Sequence, residues 1–168
     1  MPKLIKQRQI IDDHFVVLRK ADDGSLPALP SQGDVIVPLA SWRSERDQLL
    51  AREGAIGVWL APDEEPADIA DDLAHFAVIA IDFPAFTDGR GFSTARLLRE
   101  RYGYQGELRA IGDVFKDTLF YLARCGFNAF AVRPDKNIDD ALLALDDFSD
   151  SYQTGVDQPV PLFRRRVA

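Results

Sequence analysis

Val78-Ile79-Ala80-Ile81-Asp82-Phe83-Pro84-Ala85-Phe86-Thr87-Asp88-Gly89-Arg90-Gly91-Phe92-Ser93 runs from an apolar stretch, through a loop holding two glycines, into the start of a helical pattern. A short, near-continuous run of Val, Ile and Ala is what a strand buried on both faces requires, and both faces are buried when helices cover a parallel sheet. A helix following such a strand packs back onto the sheet as a right-handed crossover. The stretch is therefore read as one βα unit, with its loop at the carboxyl end of a strand.

Outward from this unit the same rhythm recurs. Strands are expected at Val35 to Pro38, Ile56 to Leu60, Ala77 to Ile81, Leu108 to Ile111 and Asn128 to Val132. Between and after them the pattern predicts helices over Trp42 to Arg52, with Ser41 as cap and Gly54 beyond the end, and over Pro66 to Ala74, behind the acidic Asp63-Glu64-Glu65. Three more are predicted over Ser93 to Tyr102, closed by Gly103, over Asp113 to Arg124, ended by Gly126, and over Ile138 to Phe148, capped by Asn137. The expected fold is α/β, with five βα units forming a mainly parallel sheet flanked by helices. The alternative is a partial or distorted βα barrel, because a closed one usually takes eight units and about 250 residues.

The flanks differ in texture. Leu4 to Ile10 and His14 to Leu18 alternate weakly around Ile11-Asp12-Asp13, which predicts an N-terminal hairpin decorating the main body. Asp23-Gly24-Ser25, Pro27 and Pro30 then mark a linker. One domain over 1–168 is expected, made of hairpin and linker (1–30), a βα core (34–150) and a tail (151–168) that is laid over the surface and holds Arg164 to Arg166.

Composition narrows the function. The 168 residues hold 20 Lys and Arg against 27 Asp and Glu, a net charge of -7, so a general nucleic-acid binder is disfavoured by long-range repulsion from phosphates. At 46% hydrophobic the chain can fill a core without a metal or a disulfide. Cys125 is its one cysteine and His14 and His75 its two histidines, too few for a cysteine-rich or histidine-based metal site, and Cys125 itself is expected as a packed core thiol. No G-x-G-x-x-G fingerprint follows a strand and no Walker loop is present, so no metal and no cofactor are expected. The polar Gln7-Arg8-Gln9 interrupts the start of the chain and no apolar run approaches 18 residues, giving the expectation of a cytoplasmic protein with no membrane partner.

Against that acidic background, residues 90 to 109 carry Arg90, Arg96, Arg99, Arg101 and Arg109 but only Glu100 and Glu107. With helix N-H groups at the same strand end, the loop Thr87, Asp88, Gly89, Arg90, Gly91 and Ser93, together with Arg109, is the candidate ligand site, suited to a small anion. Arg96, Arg99 and Arg101 read as the wet face of a helix. Arg109 interrupts an apolar strand, so burying it would require a carboxylate or an anionic ligand. Asp82, Asp88 and Asp113 are the candidate catalytic acid or base groups, although Asp113 is equally placed to cap the helix after it. His75 reads as a surface residue, and Tyr102 and Tyr104 as packing.

The segments Phe86-Thr87-Asp88-Gly89-Arg90-Gly91-Phe92-Ser93, Ala95-Arg96-Leu97-Leu98-Arg99-Glu100-Arg101, Gly106-Glu107-Leu108-Arg109-Ala110, Gly112-Asp113-Val114, Arg124-Cys125-Gly126-Phe127 and Tyr152-Gln153 resemble family 934 of the bacterial domains of unknown function. Members are often labelled as an oxidoreductase of sulfite reduction, because their genes tend to lie beside those of assimilatory sulfite reductase. The resemblance implies an accessory protein of assimilatory sulfite or sulfate reduction, with sulfite reductase or another sulfur-assimilation protein as partner. Its loop 87–93 would bind a small oxyanion or a redox partner. The residues themselves offer no place for electrons, so the word oxidoreductase is set aside and the pathway kept. The alternative is a βα-scaffold enzyme acting on a phosphorylated or carboxylated metabolite through an aspartate general acid or base.

Overall fold

The structure is a computed structural model and describes residues 1–165; Arg166, Val167 and Ala168 at the end of the expected tail lie outside the described residues. Eight strands form one sheet in the order β2-β1-β8-β7-β6-β5-β4-β3. They are β1 (Lys3–Lys6), β2 (Gln9–Asp12), β3 (Val16–Val17), β4 (Val35–Pro38), β5 (Ile56–Leu60), β6 (Val78–Phe83), β7 (Glu107–Gly112) and β8 (Ala129–Phe130). From β3 to β8 every neighbouring pair is parallel, and β1 joins β8 antiparallel through Ile5 opposite Phe130 and Lys6 opposite Ala129. The sheet is thus mostly parallel, as expected, but it has eight strands rather than five units.

Chain connectivity forces the sheet to curl. Strands β2 and β3 are at opposite ends of the strand order, yet only residues 13–15 join them. Three linking residues span at most about 14 Å between the flanking Cα atoms, whereas eight strands laid flat would put their edges about 34 Å apart. The edges must therefore approach each other, and the sheet becomes a half-barrel, in line with the partial-barrel alternative.

The hairpin expected at the N-terminus is present but shifted. Its turn is Gln7-Arg8, both in the left-handed region (φ 48° and 64°), so β1 pairs with β2 directly and the stretch 14–18 is released to become β3 at the far edge. A two-residue turn with both central residues left-handed normally advertises itself by Asn or Gly, and this one carries neither. The hairpin is not a decoration, since β1 is an integral strand of the sheet.

Five α-helices are described: α1 (Leu39–Ala51), α2 (Arg90–Glu100), α3 (Lys116–Arg124), α4 (Ile138–Leu143) and α5 (Leu162–Arg165). Pro66–His75 forms a 3-10 helix instead of the expected α-helix, opened by a capping box in which Glu65 and Asp68 each accept from the other's backbone N-H. Asn137 caps α4 as expected, its Oδ1 accepting from the N-H groups of Asp139 (2.8 Å) and Asp140 (3.2 Å). That helix gives way to a short 3-10 turn, Ala144–Asp146. Ser41 is no cap; it lies buried inside α1, which begins directly after β4.

Along each strand, side chains alternate between two cores. Outward-facing Ile79, Ile81 and Phe83 join Val35, Val58 and Leu108 beneath Leu49, Leu98, Leu119 and Leu122 of the helices. Inward-facing Ile36, Trp59, Val78, Ala80 and Ile111 pack not against a helix but with Phe15, just before β3, and Val17 of β3 itself. At roughly 1.5–3 kcal/mol for each large apolar side chain fully buried, both faces contribute, which is why the strands read as continuous apolar runs.

Candidate functional site at the carboxyl end of the sheet

The loops leaving β5, β6, β7 and β8 gather at one end of the half-barrel, where three candidate aspartates reappear, each paired with its own arginine. Asp88 folds back on Arg90 in a fork-to-fork pair, Nε to Oδ1 at 3.0 Å and Nη2 to Oδ2 at 2.7 Å, and also accepts from the Arg90 N-H. Asp113 receives Arg133 Nη1 at 2.6 Å on Oδ1 and the Phe86 N-H at 2.8 Å on Oδ2. Asp82, on the inner face near the end of β6, receives Arg19 Nη1 at 2.8 Å. Arg133 is closed further by Asp135, with both contacts at 2.9 Å.

These pairs fix the chemistry available. The Arg90 guanidinium holds the Asp88 carboxyl below its ordinary range, and Arg133 does the same for Asp113 and Asp135. Asp88, Asp113 and Asp135 are thus held as carboxylates that accept hydrogen bonds from their arginines. Asp113 caps no helix, because α3 begins at Lys116; it tethers the β6–α2 loop instead.

That tether matters because of Phe86. The residue is 59% exposed, yet its amide is held by Asp113 and its ring lies against Phe115 at 5.4 Å between centroids. Beside Phe115 a cleft of about 320 Å³ opens between the loops after β7 and β8, lined by Lys116, Asp135, Lys136 and Asn137 among others. Thr87 and Ser93 are both exposed on the same end. Of the two loop glycines, Gly91 is the one the packing demands: a Cβ there would fall 2.7 Å from Phe83 Cζ and 2.8 Å from Ile81 Cγ2, so α2 could not seat on the sheet. Gly89 has no such constraint.

Arg109 does not join this loop. It is 1% exposed in the middle of β7, with Nε on Glu107 Oε1 (2.7 Å) and Nη1 on Asp13 Oδ2 (2.9 Å), so the carboxylate partners its burial demanded come from the chain itself. Arg99 is no wet-face residue either: Nε donates to the Gly126 carbonyl (2.9 Å) and Nη1 to those of Tyr104 (2.6 Å) and Gly106 (3.0 Å). Arg96, by contrast, is exposed and paired with Glu100 one turn on. Tyr104 is a packing residue, its hydroxyl donating to the Phe76 carbonyl at 3.1 Å and pushed up to about 12 by burial. His75 is exposed, and Cys125 is buried, which pushes its thiol up.

Arg19 and Arg133 were missed by the sequence reading. Their partners are distant in the chain, and no spacing rule connects them. Among the described residues no group of three or more His, Cys, Asp or Glu side chains is placed to hold a metal ion, and no helix is long and apolar enough to cross a membrane.

Fold and site together define an α/β protein with a curled, mostly parallel sheet whose strand ends carry paired charges around an exposed aromatic. Residues 57–163, more than half of the chain, match the model of the family described as bacterial protein of unknown function (DUF934), and the chain belongs to that family. The match begins within β5, so β1 to β4 lie outside it. No curated protein matches the chain significantly.

Proposed function

We propose that this protein docks another protein through the carboxyl end of its sheet, with Phe86 as anchor, and that the partner belongs to assimilatory sulfite reduction, sulfite reductase first. The pathway comes from the family resemblance. One observation supports docking above all: Phe86 is mostly exposed while its backbone and ring are both held, by Asp113 and Phe115. An aromatic ring already fixed in place loses little freedom when a partner covers it, and a rim of charges already paired among themselves suits the wet margin of an interface.

The geometry favours a protein surface over a free oxyanion because the Arg90 and Arg133 forks are closed on carboxylates and Arg109 lies elsewhere. A small anion at Arg90 would have to compete with Asp88. The test is growth of a gene deletion on sulfate, sulfite or cysteine as sole sulfur source. Growth is expected to fail or slow on sulfate and sulfite, to be normal on cysteine, and to be restored by the parent gene but not by Phe86→Ala at equal protein level. Equal growth of the deletion on all three sources contradicts the reading. Restoration by Phe86→Ala but not by Arg90→Gln would return the oxyanion in its place.

A further inference from the structure

We propose that segment 13–20 is a displaceable strap, and that beneath it Arg109 forms a binding site for a small apolar carboxylate whose acidic group Asp13 now replaces. The inference is independent of the docking surface and starts from charge. Lys6 Nζ sits 2.7 Å from one oxygen of Glu107 and Arg109 Nε 2.7 Å from the other, so these three side chains leave one positive charge over. Asp13 balances it at 2.9 Å from Arg109 Nη1. A guanidinium this deeply buried cannot stand without an anion. When Asp13 withdraws, another carboxylate must take its place or the cluster is left charged.

Asp13 is held by its carboxylate on Arg109 and by its N-H, which donates to the Pro2 carbonyl at 2.9 Å, and the chain beyond it is a lightly paired edge. Asp13 sits in the short link between β2 and β3, and β3 is two residues long, paired only with β4, with Val16 55% exposed. The link and strand are held by replaceable polar ties: the Val16 and Leu18 N-H groups to the carbonyls of Asp34 and Ile36, both 2.9 Å, the Leu18 carbonyl to Trp59 Nε1 at 2.8 Å, and Arg19 to Asp82. Under them Phe15 and Val17 fill the inner face against Ile36, Trp59, Val78 and Ile111, and the Phe15 ring lies 5.4 Å from the Arg109 guanidinium carbon. Lifting the strap would therefore uncover an apolar trough with a guanidinium in its floor. The present occupant, an acid followed by apolar groups at alternate positions, describes the ligand: a carboxylate head on an apolar body.

The experiment uses acetate and hexanoate, with chloride at matched ionic strength, on the full chain. Asp13→Ala should melt below the parent and gain about 3 °C or more with acetate beyond any effect of chloride. Hexanoate should produce the same gain at a concentration at least tenfold lower, and the double variant Asp13→Ala, Arg109→Met should respond to neither. In the parent, hexanoate should speed hydrogen exchange of the Val16 and Leu18 amides. If Asp13→Ala does not fold in chloride, refolding in acetate is the expected rescue, and Asp13→Asn supplies the folded comparison. The proposal is overturned if chloride and acetate act alike on Asp13→Ala and on Asp13→Asn, or if the double variant responds as the single one does. It is also overturned if hexanoate, at the level that saturates Asp13→Ala, leaves the parent's Val16 and Leu18 amides as protected as before.

Discussion

Arg99 closes three backbone carbonyls with one guanidinium at the amino end of the sheet, joining the residues that precede β7 and β8 to helix α2. A lysine has no fork to reach all three, and each acceptor left half-buried and unpaired adds a desolvation cost. Arg99→Lys is expected to lower stability by about 1–3 kcal/mol, seen as a lower urea midpoint at unchanged slope, while Arg96→Lys, one turn earlier and exposed, stays near the parent. The two arginines look identical in sequence, both on the polar side of an amphipathic pattern, and only the chain folding back at Gly106 and Gly126 tells them apart. Arg109→Ala removes the cation from a buried cluster and strands Glu107 and Asp13, and is expected to cost about 3–5 kcal/mol. A loss under 1 kcal/mol in chemical denaturation would mean the cluster is wet.

Strands β4 and β5 fall on the residues their apolar runs predicted, and β6 and β7 differ from prediction by a residue or two at their ends, because a strand buried on both faces writes its burial into consecutive positions. Strand β3 writes almost nothing: it is two residues long and half exposed, and it exists because β4 offers it an edge. The helix starts were misjudged where loops borrow distant carboxylates, as Asp113 does in holding Phe86 rather than capping α3. That tether makes a prediction about pH. Asp88 and Asp113 have folded values below their ordinary ones, so the order they give the β6–α2 loop is fully present above the unfolded value near 3.9 and is lost only as pH falls through the lower folded values. The Phe86 amide resonance should hold its position from pH 8 to pH 5 and move only below about pH 4. A midpoint above that would show that Arg133 and Arg90 do not hold these carboxylates in solution.

Across the whole molecule, the N-terminal segment decides the shape, because its hairpin enters the sheet beside β8 and its next residues pair at the opposite edge, drawing the sheet into a half-barrel. The βα rhythm was legible and a partial barrel stood as the alternative to an open sheet, but the choice between them was not, since closure depends on which strand the first twenty residues choose. The same holds for the site: the loop with Asp88, Gly91 and Arg90 could be read from one stretch of chain, whereas the partners Arg19 and Arg133 come from segments that meet it only after folding. Docking at this end remains the central claim, and a titration of the purified chain with purified sulfite reductase tests it most directly. The parent should bind, Phe86→Ala should bind at least tenfold more weakly as an interface anchor does, and Leu50→Ala, altering an exposed leucine on α1, should bind like the parent. No binding by the parent at tens of micromolar, or equal binding by Phe86→Ala, would contradict it.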